Sequence, residues 1–405
     1  VSASAGGEYP VLAIHNAYQQ WGGEDAVFQQ EAEMLERRGH RVIRLVTAVP
    51  NELGMSGRIR VAGASLWSSA RVAEITALVR EHDPAIAHVH NFFPLMSPSL
   101  YWALHELGVP VVQTLHNFRF TCPAGTLFRA GRVCESCLGR PVAAAAALHA
   151  CYRGSRIESV GAVASLAAYR LLGVWRRWVR GFIALTPFAR DKAIAGGIPA
   201  GRVFVKPNFV APDPHVSRDV GNYAVYVGRL SPEKGLETLL EAWESVEGVP
   251  LRIVGDGPLR SSLERQAAAT GVRDVEFVGR RSRQEVMEHL GEARFLVLPS
   301  LCYEGYPLAV VEAFARGIPV IASRRGGLRS IVADGRTGLL VQPGSASEFA
   351  SAVRLLWSDT SLLETLRRGA RREYEESYTE EVNYRLLMGI YEQVVSEAGG
   401  GDGRA

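Results

Sequence analysis

The chain has few cysteines, five in 405 residues. An odd number in a long chain with no export signal argues against a disulfide scaffold. It also lacks an excess of either charge. Lys plus Arg number 45 and Asp plus Glu 42, a formal balance of +3, too small to act as an electrostatic footprint, so nucleic acid is not expected as a partner. No apolar run reaches the roughly 20 residues that cross a bilayer, and Val1 to Pro10 has neither the basic nor the apolar region of a secretory signal. Cytoplasmic residence is the resulting expectation. No two aspartates stand two positions apart, so the Asp-x-Asp pattern that holds a cation on a diphosphate is missing. G-x-G-x-x-G follows neither candidate first strand, which argues against a dinucleotide-dependent oxidoreductase.

What is present is an ordinary globular composition, 47% hydrophobic and 21% charged, in a chain longer than one core usually organises. Short β-branched and aliphatic runs alternate with helical patterns, the signature of parallel sheets covered on both faces. Strands are expected at Val11–His15, Arg41–Val46, Ile86–His90, Pro110–His116, Phe182–Thr186 and Val203–Pro207, and again at Ala224–Gly228, Leu251–Gly255, Val275–Val278, Phe295–Pro299, Pro319–Ser323 and Gly338–Val341. Asn208 to Asn222 is proline-bearing and aperiodic, a linker. The expected organisation is α/β: two Rossmann-like, doubly wound domains, 1–210 and 211–385, facing a cleft. An insertion at 117–152 and a helix end with a Gly-rich, disordered tail at 386–405 complete it. In open α/β sheets ligands bind beyond the carboxyl ends of strands, so the loops there are the place to look.

After Phe295–Pro299 comes Glu304-Gly305-Tyr306-Pro307-Leu308 and an apolar helical stretch. Gly305 permits close backbone approach, and Pro307 suits a helix start whose free N–H groups favour an anion such as a diphosphate. Glu304 and Glu312, eight positions apart, stand roughly 10 to 12 Å from each other, too wide for a glycosidase pair at about 5 or 6.5 to 9.5 Å. The separation fits opposite ends of one nucleotide sugar. The plainer reading is a solvated loop residue and a half-exposed helix residue.

EGYPLAVVE, read as E-x7-E, resembles the donor motif of the retaining GT-B glycosyltransferases of family 4, group 1, and the likeness covers nearly the whole chain. It implies that Glu304 approaches the transferred sugar and Glu312 the nucleotide ribose. Gly228-Arg229-Leu230-Ser231-Pro232-Glu233-Lys234-Gly235 resembles the family's G-R-L-x-x-E-K-G, in which Arg229 and Lys234 would hold the leaving diphosphate, at the other end of the donor from Glu304. Preorganised cations there stabilise charge built up in the transition state, so no catalytic metal is expected. Gly255 and the Gly279-Arg280 pair, turn chemistry on the plainer reading, resemble donor-site turns, with Gly279-Arg280 beside the base. Gly326-Gly327 matches a glycine pair that often precedes an acidic residue, where this chain has Ser330.

In the N-terminal half, Gly22-Gly23 before a helix is a weak phosphate or sugar signal and resembles the acceptor-side loop, although Glu24 follows one residue sooner than in the familiar form. His116, in TLHNF, matches the active-site histidine, a sugar positioner and electrostatic partner, whereas His88, His90 and His105 read as structural. Cys122, Cys134, Cys137 and Cys151 form C-x11-C-x2-C-x13-C. The close pair suits one edge of a tetrahedral zinc site that the outer two complete; four reduced thiols are the alternative. A similar insertion occurs in a bacterial branch of the family, without establishing a metal. Tyr169 to Arg180 mixes aromatics and arginines as interfacial helices do, although such a stretch is more often a helix docked on the sheet with snorkelling arginines; the first reading would place the protein peripherally at the inner membrane face.

The resemblance implies front-face transfer, with retention, from a UDP- or GDP-sugar to a hydroxyl acceptor: a lipid-linked saccharide, a polysaccharide or a small molecule. A non-catalytic sugar-nucleotide or polysaccharide binding module is the alternative, and intact Arg229, Lys234 and glutamates speak against it.

Overall fold

The computed structural model describes residues 9–17, 22–48, 61, 63–217, 219–272 and 274–399. Gln20 and Trp21 of the glycine loop and the tail beyond Gly399 lie outside them. The strands are β1 (Val11–Ala17), β2 (Val42–Ala48), β3 (Ile86–Val89), β4 (Val111–Leu115), β5 (Phe128–Arg129), β6 (Arg132–Val133), β7 (Gly181–Ala184), β8 (Val203–Val205), β9 (Ala224–Val227), β10 (Leu251–Val254), β11 (Val275–Gly279), β12 (Phe295–Leu298), β13 (Val320–Ser323) and β14 (Gly338–Val341). Each expected strand appears, with its ends displaced by no more than two residues. The hairpin β5–β6 was not expected.

Tertiary contacts divide the chain into two units. The first holds 1–126, 135–206 and the segment from Asn383; the second holds 127–134 and 207–382. Two boundaries thus differ from the expected ones. The short hairpin leaves the insertion to join the second unit, and the helix Glu380–Gly399 carries the chain back to the first. That return has a packing reason: Leu387, Tyr391 and Val394 on this helix are buried, and the Tyr391 hydroxyl bonds His88 Nδ1 at 2.7 Å.

In the first unit the sheet order is β2-β1-β3-β4-β7-β8, and in the second β11-β10-β9-β12-β13-β14, with every ladder in both sheets parallel. Apolar runs such as Phe295-Leu296-Val297-Leu298 are buried throughout, as parallel strands under helices on both faces require. The winding reverses between β1 and β3 in the first sheet and between β9 and β12 in the second. Such reversals leave a crevice at the strands' carboxyl ends, and the loops that leave there become the candidate sites.

Candidate active site

At the reversal in the second unit, the loop after β9 ends in a 3-10 turn, Pro232–Lys234, and Gly235. Gly235 has φ +72°, and a Cβ there would stand 2.2 Å from the Pro299 carbonyl, so only glycine lets this loop lie against the end of β12. The backbone amides of Leu301 and Cys302 then donate to the Glu233 carbonyl at 2.9 and 3.3 Å. Clamped in this way, Lys234 Nζ donates to both oxygens of Glu304, at 2.7 and 2.9 Å, and Ser300 Oγ donates to the same carboxylate. Glu304 is buried. Burial would lower the Lys234 ammonium, yet the Glu304 carboxylate holds it above the ordinary lysine value.

Lys234 and Glu304 form one ion pair, because β9 and β12 are neighbours and their loops leave side by side. Arg229 is 63% exposed and pairs with Glu233 at 2.6 Å. Burial works against ionisation of Glu233, but hydrogen bonds from Ser231 and its own amide, with the Arg229 charge, keep its carboxyl below the usual range.

Around this pair the other expected residues take their places. Glu312 lies on the helix Leu308–Ala315, behind Pro307 at its N-cap. Burial raises its carboxyl, and Arg283, 3.7 Å from Oε1, counteracts in part; the motif reading had not singled out Arg283. Gly305, Tyr306 and Leu308 are half-buried beside them. Gly327 donates its amide to the Glu304 carbonyl at 2.9 Å, and a Cβ there would meet that oxygen at 2.4 Å, so Gly326-Gly327 fixes the loop that carries Glu304. The Gly228 amide donates to Val254 O and the Gly255 amide to Gly279 O, which lines up the turns at the ends of three strands. Arg280 is exposed. Cys302 is buried beside Glu304, and burial first and that carboxylate second push its thiol up to about 12, which makes it an inert neighbour.

At the reversal in the first unit, His116 follows β4 directly. Its Nε2 lies 3.1 Å from His90 Nδ1, and the two rings stack at 5.3 Å. Asn117 donates to Glu24 at 2.8 Å, and the Gly22 amide to Asp25 at 2.8 Å, so the Gly22-Gly23 loop and His116 are brought together. The Asp25 carboxylate also meets His15 Nε2 at 2.9 Å. Beneath lies a buried charge centre, in which Lys206 Nζ donates to Glu31 Oε2 at 2.6 Å and to Asn383 Oδ1 at 3.2 Å. Glu31 Oε1 is 3.1 Å from His88 Nδ1 and 3.3 Å from His90 Nε2, without hydrogen-bond alignment. His90 is therefore part of the site's support, not only a core residue. Glu31, His88 and His90 have the spacing of ion ligands, but the Lys206 ammonium already supplies the counter-charge and would repel a divalent cation.

Burial first, and His88 next, hold the His90 imidazole down to about 3; burial and His90 likewise push His116 well below its ordinary value. In the unfolded chain both titrate near 6.5. The unfolded state therefore takes up protons that the native state refuses once the pH falls below about 6.5. For His90 this contribution to stability is complete above that pH and is lost as pH drops toward 3, by roughly 1.4 kcal/mol per pH unit, and His116 contributes in the same direction. Tm measured from about pH 8 to 5 should fall on the acid side; a flat profile would contradict a buried neutral pair.

Cys122 and Cys137 are buried and Cys151 half-buried. Cys137 and Cys151 meet at one small cluster with Ala143, Ala146 and Val163.

Two open α/β units with parallel sheets and candidate sites at their reversals match the GT-B class of glycosyltransferase architecture. Family models agree: residues 21–214 match Glycosyltransferase Family 4 and residues 211–373 match Glycosyl transferases group 1. The chain belongs to this glycosyltransferase family. It is similar to the D-rhamnosyltransferase WbpZ of Pseudomonas aeruginosa, 35% identical over 159 residues covering 39% of this chain and 42% of that protein. It is also similar to the alpha-D-kanosaminyltransferase of Streptomyces kanamyceticus, 31% identical over 175 residues, 42% of this chain and 45% of that protein. The chain thus spans less than half the length of these curated relatives. Among solved structures, Anabaena HepE in complex with UDP and glucose superposes with a TM-score of 0.67 at 16% identity, covering 95% of this chain and 99% of that one; this likeness is one of fold.

Proposed function

We propose that the protein is a retaining glycosyltransferase that moves a sugar from a UDP- or GDP-sugar to a hydroxyl acceptor. The observation that carries the proposal is the Lys234–Glu304 pair at the reversal of the second sheet. A cation held there by a carboxylate is preorganised for the leaving diphosphate, and Glu304, freed when the diphosphate takes Lys234, faces the transferred sugar. Glu312 would bind the ribose, Arg229 the diphosphate and Gly279-Arg280 the base, while neutral His116 positions the sugar. Front-face displacement lets the leaving phosphate take the acceptor proton, so no carboxylate has to become glycosylated. The HepE complex with UDP and glucose supports a nucleotide-sugar donor. The test is incubation with a panel of UDP- and GDP-sugars and NMR of the product: retention of the donor's α configuration is expected, and an inverted anomeric centre would rule the mechanism out.

Lys234, Arg229 and backbone amides replace a catalytic cation, and Cys122, Cys134, Cys137 and Cys151 hold one structural zinc. The convergence of Cys137 and Cys151 on one cluster supports it, and such an ion would cross-link the insertion. Protein purified without added metal should contain about one zinc per chain, and its turnover should be insensitive to a chelator too weak to strip that ion. Zinc-free protein with reactive thiols, or strict dependence on added magnesium, would refute the respective half.

A further inference from the structure

The helix Arg156–Leu171 packs on the first unit through Ser159, Ala162, Val163, Ser165, Leu166 and Tyr169. By length and composition the helical stretch Arg156–Arg177 would suffice to cross a membrane, but this buried face and the left-handed Gly173 that breaks it make it an element of the fold. The aromatics that suggested an interfacial helix, Tyr169 and Trp175, are buried; the apolar face turned outward is a different one. Ile157 is 86% exposed, Val160 56% and Leu171 78%, and Ala164 is exposed between them. At 100° per residue, positions 157, 160, 164 and 171 fall on one narrow stripe, about 21 Å long at 1.5 Å per residue. Arg156 precedes it, and Arg176 and Arg177 follow; all three are exposed. None of the three forms an ion pair among the described residues. Glu158, the helix's one acidic residue, has its Oε2 buried away from the stripe.

An apolar stripe bracketed by unpaired arginines is complementary to a surface that is apolar inside and anionic outside. We propose that this face docks the protein onto an anionic membrane, with Ile157, Val160 and Leu171 entering the headgroup boundary and Arg156, Arg176 and Arg177 meeting lipid phosphates. The inference does not depend on the transfer reaction.

The test is co-sedimentation of the full chain with vesicles of mixed phosphatidylglycerol and phosphatidylcholine against vesicles of phosphatidylcholine alone. Preference for the anionic vesicles, weakened by salt, is expected. Arg176→Gln and Arg177→Gln should each weaken binding on the order of fivefold. Ile157→Glu with Leu171→Glu should abolish it while leaving Tm unchanged, since both side chains are exposed. Equal binding to both vesicle types, or undiminished binding by the Ile157→Glu, Leu171→Glu protein, would overturn the proposal. So would a dimer in sedimentation velocity that Leu171→Glu dissociates without any vesicle binding, which would assign the face to a second copy.

Discussion

Lys234→Ala is expected to lower sugar transfer on the order of 100-fold or more, with a smaller loss in affinity for the free nucleotide. The lysine sits on a turn that Gly235 presses against Pro299, so in the proposed reaction its charge would need no reorganisation as the diphosphate departs. Removing one such preorganised group typically costs about two to three orders of magnitude in turnover. The ion pair adds a second consequence. Deleting Lys234 leaves the buried Glu304 with Ser300 as its hydrogen-bonding partner, an anion next to the proposed place of an anionic donor. Glu304→Gln removes that charge but keeps the size of the side chain. The double variant should therefore recover nucleotide affinity relative to Lys234→Ala while turnover stays low. Initial rates paired with calorimetric titration separate the two effects; wild-type turnover in Lys234→Ala would remove this pair from the mechanism.

The largest expected effect on stability lies in the first unit. Lys206 and Glu31 are both buried and paired at 2.6 Å. Burial opposes ionisation of Glu31, but Lys206 and His88 hold its carboxyl well below the usual range. Taking away one member of such a pair strands the other, at a cost of about 3–5 kcal/mol. Lys206→Met alone should lower the unfolding free energy read from urea titration by that amount, and Glu31→Gln with Lys206→Met should regain part of it. Equal destabilisation by the single and double changes would mean that the methylene packing of Lys206, not its charge, matters there.

The twelve strands of the two sheets were readable because parallel strands buried on both faces leave unbroken apolar runs, such as Phe295 to Leu298. The E-x7-E and G-R-L-x-x-E-K-G strings were readable because their residues are close in sequence. What could not be read depends on distant partners. His90 and His116 follow different strands, and nothing in either's neighbourhood says that β3 and β4 will place them 3.1 Å apart. Glu31 and Lys206 meet across 175 positions. The pairing of Lys234 with Glu304 needs the order β9-β12, which no local pattern encodes. The hairpin β5–β6, two residues a strand, is too short to show alternation. The outward stripe on Arg156–Leu171 escaped a reading centred on Tyr169 to Arg180, because that window straddles the turn at Gly173 and holds only the last residue of the stripe.

The first unit is assembled from pieces lying on both sides of the second in the chain. Residues 207–382 are synthesised before Asn383, Leu387 and Tyr391, so as the chain leaves the ribosome the first unit has its sheet but not the helix that closes it. Lys206 waits for Asn383 Oδ1, and His88 for the Tyr391 hydroxyl. The usual N-terminal-first order of co-translational folding is therefore suspended: the unit begun first is completed last, and a fragment cut at the linker is an unfinished domain, not a separable one.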